Sequence, residues 1–474
     1  MLTDKITAAI VSTMLYSSAV FSQNTSDIQQ KMDALLKDAA SKDVFAGSVL
    51  LIKDDQPLYD KSIGLADEEK KIINTADIKY AIGSITKLFT KTIILQLAAE
   101  KKIQLLDKIV NYLPGFADTA ASQISIAQLT EHTGGLGDYA STDNWDEVNE
   151  SVNSISELLA VIQKSKLLFA PGSKVEYSNS GYAVLAALIE KITGKPLGDV
   201  YKERIFDPLK MNSSGFSYIN KAETGKAVGY LTNFLGPKKN NLFFKMMGAG
   251  DGGIYSTTHD LWQFAHSIMC DNKLLSDESK LKLFNSPLFP VHYTTWNECK
   301  AKGRLSVAGG APGVSAVLGI NLEKNYCFVV LSNYDERSAE SIAQRISAVM
   351  NDKPVLPIPL PPARMIYSLI KEKGAQNFVD HYKKELDNAG VMLDDDMILL
   401  SVGQTLLEEK KPDEAIALYT VYTKEFPNII IAWNDMGDAY LLKGDKANAK
   451  KCFEQALKLR PGNPRAQRML KELQ

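Results

Sequence analysis

The sequence predicts an α+β domain, an antiparallel sheet flanked by helices with an inserted helical subdomain, followed by an all-α repeat domain. Three observations predict it. Apolar strand hairpins stand at both ends of the region before Lys353, the chain between them is mostly helical and loop-rich, and a proline-dense stretch separates this region from a 34-residue helical period.

Taken in order, Met1 to Lys5 carries a lysine, Ile6 to Phe21 is mostly apolar and small, and Val20 and Ser22 stand three and one positions before a cut ahead of Gln23. This pattern predicts a signal peptide over 1–22 and an exported protein, periplasmic or secreted. Ser12, Thr13, Ser17 and Ser18 interrupt the apolar run, which falls short of the roughly 20 apolar residues that a span requires. No transmembrane segment is expected in the mature chain.

The first domain is expected over 23–352. Ile28, Met32, Leu35 and Leu36 recur at helical spacing, Gly47 to Lys53 reads as a buried strand, and an Asp54-Asp55 turn returns the chain along Gln56 to Leu65. Val314 to Leu322 and Tyr326 to Ser332 form the last hairpin, with a helix over Ser338 to Val349 after it. One antiparallel sheet built from both hairpins and covered by the first and last helices buries both sets of apolar faces.

Lys353 to Arg364 is proline-dense, with Pro354, Pro357, Pro359, Pro361 and Pro362, so the chain should run there as a semi-rigid extended linker over 353–364. Beyond it, Trp433, Gly437, Tyr440, Ala449, Phe453, Ala456 and Pro461 hold the spacings of the tetratricopeptide signature. Leu399, Gly403, Leu406, Ala415, Tyr419, Tyr422 and Pro427 repeat them one period earlier. Residues 365–474 therefore resemble tetratricopeptide repeats, with Met365 to Gly390 as a degenerate first pair and Pro464 to Gln474 as a capping helix. Such surfaces bind a protein segment or a second copy of the chain.

Composition narrows the chemistry. The chain has 474 residues and a formal charge of -2, so no global field draws it to nucleic acid. Cys270, Cys299, Cys327 and Cys452 show no C-x-x-C spacing, and the five histidines show no H-E-x-x-H pairing. Neither a metal nor a cofactor is expected. Cys327 falls in the last strand as core, while Cys270 and Cys299 are either free or paired.

Serine chemistry remains. Tyr80 to Lys87 reads Y-A-I-G-S-I-T-K and leads into an amphipathic helix over Leu88 to Glu100, with Ser84 at its N-terminal end and Lys87 three residues on. Three-residue spacing places both on one helix face, so the lysine can assist a hydroxyl that is a poor nucleophile alone. Such a serine is otherwise a helix cap. Tyr177 and Asn179 lie two apart on an extended or loop backbone before a helix over Ala183 to Ile192, and would face the same cavity. Tyr177 beside Lys87 could relay protons, and Asn179 could orient Lys87 and a substrate carbonyl; the alternative is a surface turn. Val307-Ala308-Gly309, with Gly310 next, feeds the last hairpin, where glycines admit a substrate to an edge strand or simply make a turn.

Together F-A-G-S-V-L-L-I-K-D, G-S-I-T-K-L-F-T, Y-L-P-G-F, L-T-E-H-T-G-G-L-G-D-Y, F-A-P-G-S-K-V-E-Y-S-N-S-G-Y and G-D-G-G-I-Y-S-T-T-H-D-L resemble the serine β-lactamase and penicillin-binding-protein family. The branch is that of class C β-lactamases, D-aminopeptidases, D,D-carboxypeptidases and esterases, and the match spans about Phe45 to Ser332. The resemblance implies that Ser84 is acylated, that Lys87 is its proton partner and that Tyr177 is the base for acylation and deacylation. It further implies that Asn179 positions Lys87 and the substrate amide. The oxyanion would sit on the N–H groups of Ser84 and Gly310, with Gly309 lining the substrate site. His132 is read as structural. A small-molecule or peptide acyl substrate follows.

One position departs from the family. Val307 stands where relatives carry lysine or histidine, a cation that attracts a substrate carboxylate, unless Arg304 or Lys302 substitutes for it. This favours a neutral ester or amide, or a D-amino-acid peptide, over a β-lactam. The competing reading is a catalytically inactive ligand sensor that acts through its repeats. Pocket shape is assigned to the loops Ala140 to Ser154 and Ala222 to Lys245.

Overall fold

Seven-residue runs such as G-S-V-L-L-I-K and Y-C-F-V-V-L-S are apolar on both alternating faces, so strands made from them must be covered on both sides. The computed structural model places them at the centre of a sheet. It describes residues 25–473 apart from 117–118, 140–151, 218–222, 232–237, 244–246, 290, 336 and 390–395. The leader read over 1–22 and much of the two pocket-shaping loops lie outside the described residues.

The chain divides into two units, with a boundary between Ile358 and Pro359. In the first, helix α1 (25–41) precedes β1 (Gly47–Lys53) and β2 (Gln56–Ile63), and the later strands are β3 (Arg304–Ala311), β4 (Val314–Asn321) and β5 (Tyr326–Ser332). The antiparallel order is β3-β4-β5-β1-β2, so the terminal hairpins meet as β5 against β1, Val49 opposite Val330. The return strand ends at Ile63, short of the Leu65 expected from the sequence. Gly64, at φ +75, turns the chain after Ile63, and Leu65 pairs instead with Ile73 in a separate ribbon.

One sheet face is covered by α5 (Ser338–Met350), which packs on β4 and β5, and the other by α4 (Thr258–Cys270), which packs on β5 and β1. Helix α1 is tied to β2 by the Tyr59 hydroxyl, which donates to Asp33 Oδ1 at 2.7 Å. Between the hairpins lie α2 (Thr86–Ala99) and α3 (Asn179–Thr193), packed on each other. Leu88, Ile93, Ile94 and Leu97 suggested an amphipathic α2, but it is buried on nearly every side because it runs through the centre of the domain. Even Lys91 is buried there, and burial lowers its pKa to about 8.

All four cysteines are free. Cys270 and Cys299 do not pair: Cys270 is exposed at the end of α4, whereas Cys299 is buried in the helix Trp296–Lys302. Cys327 is buried in β5 as core.

The proline-dense stretch is not a free spacer along its first half. The Arg345 Nε donates to Leu356 O at 2.8 Å, Lys42 Nζ donates to Ile358 O at 2.7 Å, and the Ile358 side chain is buried. In the second unit Pro362–Lys373 and Ala375–Ala389 make one helix pair, Asp396–Glu408 and Pro412–Glu425 a second, Ile430–Leu442 and Lys446–Leu459 a third, with Pro464–Glu472 last. The 34-residue period has a steric origin: a Cβ on Gly403 would lie 2.4 Å from the Tyr419 ring, and one on Gly437 2.7 Å from the Phe453 ring.

Candidate active site

Ser84 sits in a 3₁₀ turn, Gly83–Ile85, that leads directly into α2. The turn needs a glycine before the serine. Gly83 has φ +50, and a Cβ on it would lie 2.7 Å from Gly310 N on the neighbouring edge strand β3. A Cβ on Gly309 would in turn meet Ile82 O at 2.0 Å and Ser84 N at 2.8 Å. Two glycines thus let the backbones of Gly83-Ser84 and Gly309-Gly310 touch, which brings the Ser84 and Gly310 amides into one small region of the site.

Tyr177 and Asn179 do not share one extended or loop segment. Ser178 is the N-cap of α3, its Oγ accepting from Gly181 N at 3.2 Å, so Asn179 is the first helical residue and Tyr177 precedes the helix. The break serves the site, because the phenol reaches Ser84 while the carboxamide reaches Lys87. The Tyr177 hydroxyl donates to Ser84 Oγ at 2.8 Å, and Lys87 Nζ donates to the same oxygen at 2.9 Å. Lys87 also donates to Asn179 Oδ1 at 2.7 Å and to the backbone oxygen of Asp251 at 3.0 Å. An ammonium has three donors, and all three are filled.

The Asn179 amide is oriented by charge. Its oxygen faces Lys87, while its Nδ2 donates to Asp138 Oδ2 at 2.7 Å. Asp251, whose carboxyl pKa is raised by burial, accepts from the Tyr139 hydroxyl at 2.6 Å. Asp138, Tyr139 and Asp251 had no role in the sequence reading, although two of the quoted motifs contain them. A carboxylate in a glycine-rich loop carries no local signal of which distant lysine it serves.

His132 holds Tyr177 in place. It is buried, adopts the left-handed conformation at φ +58, and its ring stacks on that of Tyr177 with centroids 4.7 Å apart. Its Nδ1 accepts from Ser178 N at 3.1 Å, which requires the neutral imidazole. Burial, and secondarily Lys87 and Lys91, lowers its pKa to about 4. The unfolded chain takes a proton on this ring below about pH 6.5, whereas the folded protein resists until about pH 4. Stability present above pH 6.5 should therefore be lost as pH falls through that window, by at most about 3 kcal/mol from this group. Denaturant titrations at pH 7 and pH 5 check this, since His132→Gln should show a shallower loss than the wild type. Equal losses would refute it.

Val307 lies on β3 two residues before Gly309, hence on the same strand face, and packs against the central core. Arg304 is on the opposite face and pairs with Glu323 at 2.6 Å, while Lys302 lies 3.7 Å from Glu298 one turn back on its own helix. Neither takes the place of the missing cation. A cavity of about 990 Å³ opens on that opposite face, lined by Arg304, Ser306, Gly319 and Phe328.

Residues 26–350 match the β-lactamase family model, across the stretch that carries Ser84, Lys87, Tyr177 and Asn179. The chain belongs to the β-lactamase family. It is a serine hydrolase of that family, and residues 430–463 match the tetratricopeptide repeat. Protein flp of Staphylococcus aureus (strain MW2) is 25% identical over 340 residues, 69% of this chain and 68% of that protein. The putative penicillin-binding protein PbpX of Bacillus subtilis (strain 168) is 30% identical over 318 residues, 65% of this chain and 75% of that one. The crystal structure of FmtA from Staphylococcus aureus superposes with a TM-score of 0.58 at 26% identity, covering 69% of this chain and 90% of that one. The antiparallel sheet flanked by helices is that of the β-lactamase fold.

Proposed function

We propose that the protein is an exported hydrolase that forms an acyl-enzyme at Ser84 and cleaves an ester or amide. Its activity is of the esterase, D-aminopeptidase or D,D-peptidase type, with weak or no action on β-lactams. The observation that carries this reading is the pair of contacts on Ser84 Oγ, from the Tyr177 hydroxyl at 2.8 Å and Lys87 Nζ at 2.9 Å. One of the two must be deprotonated to take the serine proton. Lys87, with three acceptors around it, is suited to remain an ammonium, which leaves Tyr177 as the base.

In this scheme Ser84 Oγ attacks the acyl carbon as Tyr177 takes its proton. The oxyanion forms against the Ser84 and Gly310 amides, and its collapse expels the alcohol or amine, which receives the proton from Tyr177. Water then attacks the ester with Tyr177 again as base, and the acid leaves as Ser84 regains its hydrogen. Val307 supports a neutral acyl substrate, because an aliphatic side chain offers a carboxylate no charge-assisted bond. The leader-like pattern over 1–22 supports export, and the repeats suit the docking of an extended protein segment or of a second copy.

A fluorophosphonate probe should label the wild type and not Ser84→Ala. A screen of p-nitrophenyl esters, D-alanyl peptides and nitrocefin should find turnover of an ester or amide well above that of nitrocefin. Labelling that survives Ser84→Ala, or no labelling at all, would end this proposal. Export is checked by mass spectrometry of the protein recovered outside the cytoplasm, which should begin at Gln23.

A further inference from the structure

The family chemistry uses none of the side chains at the far end of α4. There His266 and Cys270 stand four apart, one above the other on a single helix face, and the turn between β1 and β2 brings Asp55 up to them. The imidazole, thiol and carboxylate donor atoms all lie within 4.8 Å of one another, and His266 Nε2 is 3.6 Å from Asp55 Oδ1. Ligands about 2.0–2.3 Å from a tetrahedral ion stand roughly 3.3–3.8 Å apart, so the existing spacing requires little closure.

The surroundings suit the same purpose. Trp262, one turn before His266, packs edge-on against the imidazole with centroids 5.2 Å apart and limits its rotation. Asp55 adopts the left-handed conformation at φ +58 in the tight turn, next to Asp54 at φ +50. The ligands thus come from two elements that already pack together, since α4 lies on β1. A histidine nitrogen, a cysteine sulfur and a carboxylate oxygen form a donor set of borderline softness, typical of zinc rather than of magnesium or calcium.

We propose that Asp55, His266 and Cys270 form a site for a zinc-class divalent cation, with a fourth position open to water, that fastens the β1–β2 turn to the end of α4. Cysteine binds such an ion as the thiolate, so the Cys270 thiol must give up its proton. Binding replaces that proton, which passes to the buffer, and tightens as pH rises. The site is separate from Ser84 and does not depend on the reading of its substrate. The sequence offered no pattern for it because the third ligand lies more than 200 residues before the other two.

Cobalt(II) titration of the full chain under reducing conditions tests the proposal. It should saturate at one equivalent with a thiolate-to-cobalt charge-transfer band that zinc displaces, and Cys270→Ser should abolish the band. His266→Ala and Asp55→Asn should weaken zinc binding at least as much as the loss of an outer-shell partner does, about 10–100-fold. At one fixed zinc concentration, the thermal midpoint of the wild type should rise by clearly more than that of His266→Ala. Absence of the band, its survival in Cys270→Ser, or equal zinc affinity in wild type and His266→Ala would overturn the site.

Discussion

Lys87→Met is expected to lower kcat/KM for the best p-nitrophenyl ester by about 10³–10⁴-fold, roughly 4–5.5 kcal/mol of transition-state stabilisation. Methionine keeps most of the apolar stem and removes every donor. Ser84 Oγ, Asn179 Oδ1 and Asp251 O each lose the hydrogen bond that Lys87 supplies. The serine then lacks the cation beside its developing negative charge, and Asn179 keeps only Asp138 to orient it. Two orphaned acceptors destabilise the fold, while removal of a buried ammonium offsets part of that loss. Near-ultraviolet circular dichroism and the thermal midpoint, measured on the same preparation, separate lost chemistry from lost structure. A folded variant within tenfold of wild-type activity would remove Lys87 from the mechanism.

Tyr177→Phe is expected to lower kcat/KM by about 10²–10⁴-fold while leaving the fold intact. The substitution deletes only the hydroxyl that donates to Ser84 Oγ and preserves the ring that stacks on His132. Tyr177 is 45% exposed, so stability should change by no more than about 0.5 kcal/mol. If Tyr177 also activates the deacylating water, the variant should accumulate acyl-enzyme, visible by mass as an adduct on Ser84 that outlasts the wild-type adduct. Full activity in this variant would return the role of base to Lys87.

These two side chains also show how far the sequence could be read. S-I-T-K places Ser84 and Lys87 on one helical face by local geometry alone, and the structure brings them to 2.9 Å. Tyr177 is 93 residues from Ser84, and only the joint order of several motifs connected them before the fold was known. Asn179 reads from the sequence as part of an extended or loop backbone together with Tyr177. Ser178 caps a helix that begins at Asn179, four residues before the Ala183 that the apolar pattern suggests, because its cap bond is a polar contact that hydrophobic periodicity does not record. Arg304 looked available to replace the cation missing at Val307 until alternation along β3 put it on the other face, beside Glu323.

By itself the sequence determined the elements and the kind of chemistry. The apolar runs of β1, β4 and β5, the 34-residue spacing of Gly403 and Gly437, and the joint motif pattern are properties of neighbouring residues, and neighbouring residues set local conformation. Tertiary structure alone decided which distant groups meet and in what electrical surroundings. Asp251 gives its backbone oxygen to a lysine 164 residues earlier, and His132 stays neutral because it is buried beside two lysines. Asp55 reaches a histidine and a cysteine on a remote helix. Burial and convergence arise only when the chain packs, so the protonation of His132 and the completed set of Lys87 acceptors have no counterpart in any local pattern of the sequence.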